Sequence, residues 1–154
     1  MRTLLTIGAV ALALLDPPTS PVVPTGWIGL ADTTGRCFYA VPPGWKAEQS
    51  SDTAGTLATS PDGRVKTTLV WAPYATWPAF TSQVKADLRP TLVHEDAGRR
   101  LWVEYRSSWP GIHHYAAVPA TGGGCVVFVD TPEEAAEGLR TLTRTIIESA
   151  TGLK

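Results

Sequence analysis

The sequence predicts an α+β domain in which a largely antiparallel β-sheet is layered with two amphipathic helices. From residue 37 onward most apolar residues recur at every second position, as in strands with one buried face. Two segments, 76–90 and 131–152, instead repeat apolar residues every three or four positions, as helices do. The chain has 154 residues, 44% of them hydrophobic and 18% charged, which suffices for one domain with its own core.

The N-terminal region is expected to be a signal peptide followed by a linker. Arg2 precedes an uncharged apolar run, Thr3 to Leu15, which is shorter than a membrane span of about 20 residues and typical of a secretory signal. We therefore assign 1–20 to a signal peptide, 21–34 to an extended Pro-rich linker, and 35–154 to a single α+β domain. The mature chain is then extracytoplasmic, periplasmic or secreted, without a transmembrane helix. The alternative is that the run is a buried N-terminal helix or lies before the true start.

Four short strands are expected first, in a meander of antiparallel pairs. Their predicted ranges are Cys37–Val41, Trp45–Gln49, Gly55–Ser60 and Arg64–Ala72. The Pro-Pro-Gly of 42–44 ends the first strand, because proline cannot donate to a β ladder. The Ser-Pro-Asp-Gly of 60–63 is a turn, since proline fixes φ and glycine accepts a positive φ.

The first helix is predicted over 76–90. Trp77, Phe80, Val84 and Leu88 recur at spacings of three and four, which places them on one face. Thr76 is a suitable N-cap, and the proline at 90 ends the helix.

Four more strands and a second helix complete the predicted order ββββαββββα. The strands are predicted at Thr91–Glu95, Arg99–Arg106, Gly111–Pro119 and Cys125–Asp130. Thr131-Pro132-Glu133-Glu134 has the form of a capping box that opens the helix. The predicted buried stripe of this helix is Ala135, Leu139, Leu142 and Ile146, and Gly152 suits its end.

The strand ending in "VPPGW", the "TSPDG" hairpin, the mid-chain helix and the capped C-terminal helix together resemble the PsbP/DcrB-like superfamily. The resemblance covers roughly residue 37 to the C-terminus. It implies an α/β/α sandwich and a non-enzymatic accessory role. The superfamily has no shared catalytic set that could be placed on this chain.

Cys37 and Cys125 are expected to form a disulfide, because two cysteines in an exported chain usually pair. Both lie at the start of predicted strands, so their sulfurs can meet if those strands are neighbours. Two separate buried thiols are the alternative. A catalytic thiol is disfavoured, since neither cysteine opens a helix or follows a histidine closely.

The histidines do not predict a metal site. His113 and His114 point to opposite faces of a strand, so regular β geometry prevents them from binding one ion together. His94 offers one further ligand, whereas zinc needs three or four. We therefore expect no metal and no cofactor. Serine hydrolysis is also disfavoured, because no Gly-x-Ser-x-Gly or Ser-x-x-Lys motif occurs.

Trp102 is the tryptophan whose environment the sequence leaves open. It shares a strand face with charged residues, so either a helix covers it or it belongs to a partner-binding surface. One of His113 and His114, together with Tyr115, borders the same candidate surface if the strands pair suitably. We list these four residues as a possible partner surface, with no catalytic residue.

The expected function is that of an exported, non-enzymatic accessory or protein-binding module of the bacterial cell envelope. Its partner would be another envelope protein. A nucleic-acid partner is excluded, because the net charge is −1 and basic residues are scattered. Two alternatives remain: a carrier of a small apolar ligand, suggested by the six tryptophans, and a small hydrolase that uses a histidine.

Overall fold

Two antiparallel sheets and two helices form layers in the computed structural model, which describes residues 23–96 and 98–153. The large sheet has seven strands in the order β3-β4-β5-β9-β8-β7-β6, and the small sheet has the order β1-β2-β10. The strands are Ile28–Ala31 (β1), Cys37–Val41 (β2), Lys46–Gln49 (β3), Thr56–Thr59 (β4), Lys66–Pro73 (β5), Leu92–Asp96 (β6), Arg100–Tyr105 (β7), Ile112–Ala120 (β8), Gly123–Thr131 (β9) and Thr151–Gly152 (β10). The helices are Trp77–Leu88 (α1) and Arg140–Ser149 (α2). The predicted α+β class is confirmed.

The folded domain begins earlier than the sequence predicts. Part of the range expected to be linker, 21–34, is strand β1, in which Ile28 pairs with Val41 of β2. This is possible because the last proline of the segment is Pro24, so the residues that follow can donate to a ladder. The expected signal peptide, 1–20, lies outside the described residues.

The second helix begins later than its capping box predicts. Thr131 is the last residue of β9, where its hydroxyl donates to the Ile112 carbonyl, so it does not cap a helix. Glu133–Ala135 forms one 3₁₀ turn, and α2 starts only at Arg140. Gly152, expected to end the helix, instead belongs to β10 and pairs with Cys37 of β2.

The two faces of the large sheet are covered by different elements. The small sheet and α2 cover one face, where the first core includes Tyr39, Leu69 and Ile147, each fully buried. Helix α1 packs on the other face, over the second core, which includes Leu101 and Val103. The sheet is therefore the middle layer of a sandwich.

Helix α1 is short because both of its ends are capped. The Thr76 hydroxyl accepts a hydrogen bond from the backbone N–H of Ala79 at 3.4 Å. At the other end Arg89 is left-handed, with φ of 46°, and Pro90 follows. Its 12 residues therefore cover only part of the sheet face. Neither described helix has the length and apolarity of a membrane-spanning helix.

Candidate functional site

An open cleft of about 690 Å³ lies on the α1 face of the large sheet, beyond the strand positions that α1 covers. Its floor consists of side chains from β5, β7, β8 and β9, and its rim includes the loop between β7 and β8. The cleft is lined by Arg64, Lys66, Thr68, Tyr105, Ser107, Trp109, Pro110, His113, Phe128, Asp130, Thr131 and Pro132. We call it the Trp109 cleft.

Strand alternation explains why the floor is partly aromatic. The β8–β9 register places Tyr115 opposite Phe128, and their rings meet edge to face with centroids 5.1 Å apart. The ring centroids of Phe80 in α1 and of Tyr115 are 6.5 Å apart. The aromatic contacts thus continue from the covered part of the face to half-buried Phe128 in the cleft.

The rim loop, 106–111, holds the most exposed large hydrophobic side chain of the described residues. Trp109 is 76% exposed, whereas the other tryptophans pack in or against the two cores. Gly111 returns the loop to β8 with φ of 117°. A Cβ there would lie 2.6 Å from the Thr131 carbonyl oxygen, so only glycine permits this close approach.

Three polar side chains form a hydrogen-bonded chain inside the cleft. The Nδ1 atom of His113 lies 2.7 Å from Oδ1 of Asp130. Because a carboxylate only accepts, Nδ1 carries the hydrogen and donates it. On the other side of the ring, Nε2 lies 3.0 Å from the Ser107 hydroxyl oxygen. In the neutral imidazole Nε2 is therefore the acceptor of the Ser107 hydroxyl hydrogen.

Charged groups of both signs surround this chain. Arg64 pairs with Glu134 at 2.7 Å, and Arg106 pairs with Glu133 at the same distance, so the 3₁₀ turn is held at the rim. Lys66 lies opposite Asp130 in the β5–β9 register. Burial, and then the charge of Asp130, raise the pKa of Tyr105, which therefore stays neutral at physiological pH.

The four residues predicted as a partner surface do not share one surface. Trp102 and His114 face α2 and the first core, with 8% and 6% exposure, because α2 covers that face of the sheet. His113 and Tyr115 point to the opposite face, with 7% and 9% exposure. Of the four, His113 lines the Trp109 cleft.

Trp102 and His114 form a buried polar contact. The indole Nε1 of Trp102 donates to Nδ1 of His114 at 3.3 Å. Burial, followed by the positive charge of Arg140, lowers the pKa of His114 to about 4, so the ring is neutral near pH 7. The His94 ring lies tilted against the indole, with ring centroids 5.0 Å apart, and His94 and Trp102 line a second cleft of about 440 Å³.

The disulfide between Cys37 and Cys125 is confirmed, with their Cα atoms 5.4 Å apart. It joins β2 of the small sheet to β9 of the large one. Both cysteines are fully buried, so the bond is structural. Within 23–96 and 98–153, no group of three or more candidate metal ligands converges.

Sequence reasoning missed Ser107, Trp109 and Asp130 as site residues. Their meeting depends on the β8–β9 register, which places His113 opposite Asp130 and is not visible in a single sequence. The one local signal was the "SSWPG" segment, where a tryptophan stands among turn residues and cannot be placed on a strand face.

Comparisons with known proteins identify the fold. No family model matches the chain, and no curated protein matches it. Among solved structures, cyanobacterial PsbP (CyanoP) from Synechocystis sp. PCC 6803 is similar with a TM-score of 0.62 and 12% identity, over 86% of this chain and 95% of that one. LpqN, described as involved in cell envelope biogenesis of Mycobacterium tuberculosis, has a TM-score of 0.42 and 18% identity, over 77% and 83%. The predicted resemblance is thus confirmed at the level of architecture: the chain has a PsbP-like fold.

Proposed function

We propose that the protein is an exported accessory module of the cell envelope that binds a partner protein through the Trp109 cleft. The observation that carries the proposal is the exposure of Trp109, 76%, at the rim of an open cleft. Tryptophan is enriched among the residues that dominate binding energy, because its indole buries a large apolar area and loses little conformational entropy.

The cleft also specifies what its partner presents. Phe128 and Tyr105 offer a half-buried aromatic floor, which suits an apolar side chain. Lys66 is exposed beside them and suits a carboxylate. We therefore expect a partner segment that places an acidic residue next to an apolar one.

Two features of the chain support an extracytoplasmic location. The apolar run behind Arg2 has the charge and length of a secretory signal. The disulfide between Cys37 and Cys125 belongs to an oxidising compartment. N-terminal sequencing of the native protein should show a start near residue 20 and titration should find no free thiol. A chain that begins at Met1 and carries two free thiols would contradict export.

The tryptophan content no longer favours the alternative of an apolar-ligand carrier. Trp45 and Trp102 belong to the first core. Trp27 and Trp71 pack against the first core, and Trp77 packs against the second. These side chains are explained by packing between sheet and helices, and only Trp109 needs another explanation.

Photo-crosslinking in cells that produce the protein tests the proposed partner site. A benzophenone amino acid at position 109 should give one discrete adduct with another protein, and the same probe at exposed Asp52 should not. The second substitution Lys66→Glu should weaken the adduct at 109 by reversing the charge of the cleft. No adduct at 109, the same adducts at 52, or insensitivity to Lys66→Glu would refute this function.

A further inference from the structure

We propose that Ser107, His113 and Asp130 form a catalytic triad that hydrolyses a carboxylic ester in the Trp109 cleft. The observation is the hydrogen-bonded order of hydroxyl, imidazole and carboxylate, with contacts of 3.0 Å and 2.7 Å on the two nitrogens of one histidine. This is the arrangement of nucleophile, general base and orienting group that recurs on unrelated folds, where geometry rather than sequence position identifies it.

The environments of the three groups match these roles. The His113 side chain is 9% exposed and held on its strand, so its ring orientation is fixed. Ser107 lies in the exposed rim loop and lines the cleft, where a substrate carbonyl can reach its oxygen. The Asp130 carboxylate fixes the tautomer in which Nε2 faces Ser107 and is free to accept a proton.

The backbone around His113 also stabilises the charge that the reaction creates. The Trp109 carbonyl oxygen lies 3.2 Å from Nε2. When Nε2 takes up the serine proton, this carbonyl and the Ser107 oxygen face the new N–H, while Asp130 faces the positive ring from the other side. The Trp109 N–H donates to the Ser107 oxygen at 3.1 Å and holds it in place. Lys66 and Arg64 also line the cleft, and their positive charge favours the oxyanion that forms there.

The reaction balances without a cofactor. The Ser107 oxygen forms a bond to the carbonyl carbon while its proton moves to Nε2 of His113. The bond from that carbon to the leaving oxygen then breaks, and the leaving oxygen takes the proton from Nε2. Water repeats the two steps: its proton goes to Nε2, its hydroxyl bonds to the acyl carbon, and Ser107 recovers its proton as the acid leaves.

The class of substrate follows from the cleft. Phe128 and Tyr105 give an apolar floor for the acyl chain, and about 690 Å³ accommodates a small to medium-sized ester. A short-chain p-nitrophenyl ester is therefore a suitable probe.

Labelling with a fluorophosphonate tests the nucleophile directly, because the reagent modifies serines activated by a base. In the full oxidised protein we expect stoichiometric labelling at Ser107, identified by peptide mass. Ser107→Ala should abolish labelling, and His113→Asn should slow it by roughly 100-fold or more. Asp130→Asn should slow it by about tenfold or more, a smaller loss because the side chain is 51% exposed and solvent screens it.

Ser108→Ala is the matched control, since Ser108 is the exposed neighbour of Ser107 in the rim loop and has no place in the triad. It should label at the wild-type rate, and all variants should retain the wild-type near-ultraviolet circular dichroism. The rates at which the variants hydrolyse p-nitrophenyl butyrate should follow their labelling rates. The initial burst of p-nitrophenol should equal the number of labelled sites.

No labelling, labelling at another residue, or an unchanged rate in a folded His113→Asn variant would refute the triad. These outcomes leave the partner-binding proposal standing, because the crosslink at position 109 does not depend on Ser107. Conversely, labelling of Ser107 without a crosslink at position 109 would refute the partner-binding proposal and support the hydrolase proposal.

Discussion

Removal of the Cys37–Cys125 disulfide is the perturbation whose size follows most directly from the structure. The bond connects residues 88 apart in sequence and links the small sheet to the large one. The double variant Cys37→Ala/Cys125→Ala deletes the link without leaving a thiol. Both side chains are fully buried, so the variant also loses some packing.

The expected loss of stability follows from chain entropy. For a loop of 88 residues, the entropy removed from the unfolded chain corresponds to about 4.6 kcal/mol at 25 °C. Residual structure in the unfolded chain lowers this figure, and lost packing raises it, so we expect a decrease of about 3 to 5 kcal/mol. In a domain of this size, the melting temperature should fall by roughly 10 to 15 °C.

Urea unfolding of the oxidised protein and the double variant measures this loss. The slope of the free energy against urea should also rise in the variant, because its unfolded chain is no longer cross-linked and exposes more surface. A loss under about 1 kcal/mol with an unchanged slope would show that the link does not restrict the unfolded chain, and would refute the reasoning.

Three further predictions concern the pH dependence and the packing of the domain. The lowered pKa of His114, about 4 against an ordinary 6.5, means that the unfolded chain binds the proton first as the pH falls. Stability should therefore drop by about 1 to 2 kcal/mol between pH 7 and pH 5, and His114→Gln should remove most of that drop in urea titrations. Burial raises the pKa of Asp32, but hydrogen bonds from Thr34, Cys37 and Arg36 outweigh it, so the pKa lies below its ordinary 3.8. The Asp32 carboxylate therefore stabilises the fold above about pH 3.8, and this stabilisation is lost as the pH falls through the lowered pKa. Asp32→Ala should cost about 1 to 3 kcal/mol of unfolding free energy at pH 7 and flatten the acid side of the curve of stability against pH. An unchanged acid side would contradict this. Finally, a Cβ on Gly123 would lie 2.2 Å from the Ala72 carbonyl oxygen, so Gly123→Ala should cost about 2 kcal/mol or more; Gly138→Ala, with 3.6 Å of room, is the control, and equal losses would contradict the argument.

The central strands could be predicted from the sequence because their signal is local. In β7, Leu101 and Val103 alternate with Trp102 and Glu104, and the structure places the two pairs on opposite faces. The alternation of side chains between the two faces depends only on the pleat, so it can be seen without knowing which strands pair. The same holds for α1, whose apolar face and caps lie within one segment.

The short edge elements could not be predicted in the same way. Strands β1 and β10 have four and two residues, and each exists because β2 lies beside it. The late start of α2 has a similar cause, since the ladder between β8 and β9 extends to Thr131 and competes with the helix cap. Pairing between distant segments decides these cases, and local propensity does not report it.

The candidate site was the least predictable part. The sequence shows where the histidines are, but it does not show which strand pairs with theirs or which loop residues contact them. Ser107 reaches His113 through the loop, and Asp130 reaches it through the β8–β9 register. The covering of Trp102 by α2 was likewise one of two open alternatives until the packing was known.

The position of β1 and β10 on either side of β2 has a practical consequence for engineering. Both strands belong to the layer opposite the Trp109 cleft, so the described chain begins and ends on the same side of the molecule. The protein should therefore accept circular permutation, with new termini opened in the exposed 51–54 turn. A tether attached just beyond β10 should also be tolerated, and it would present the cleft outward, away from the support.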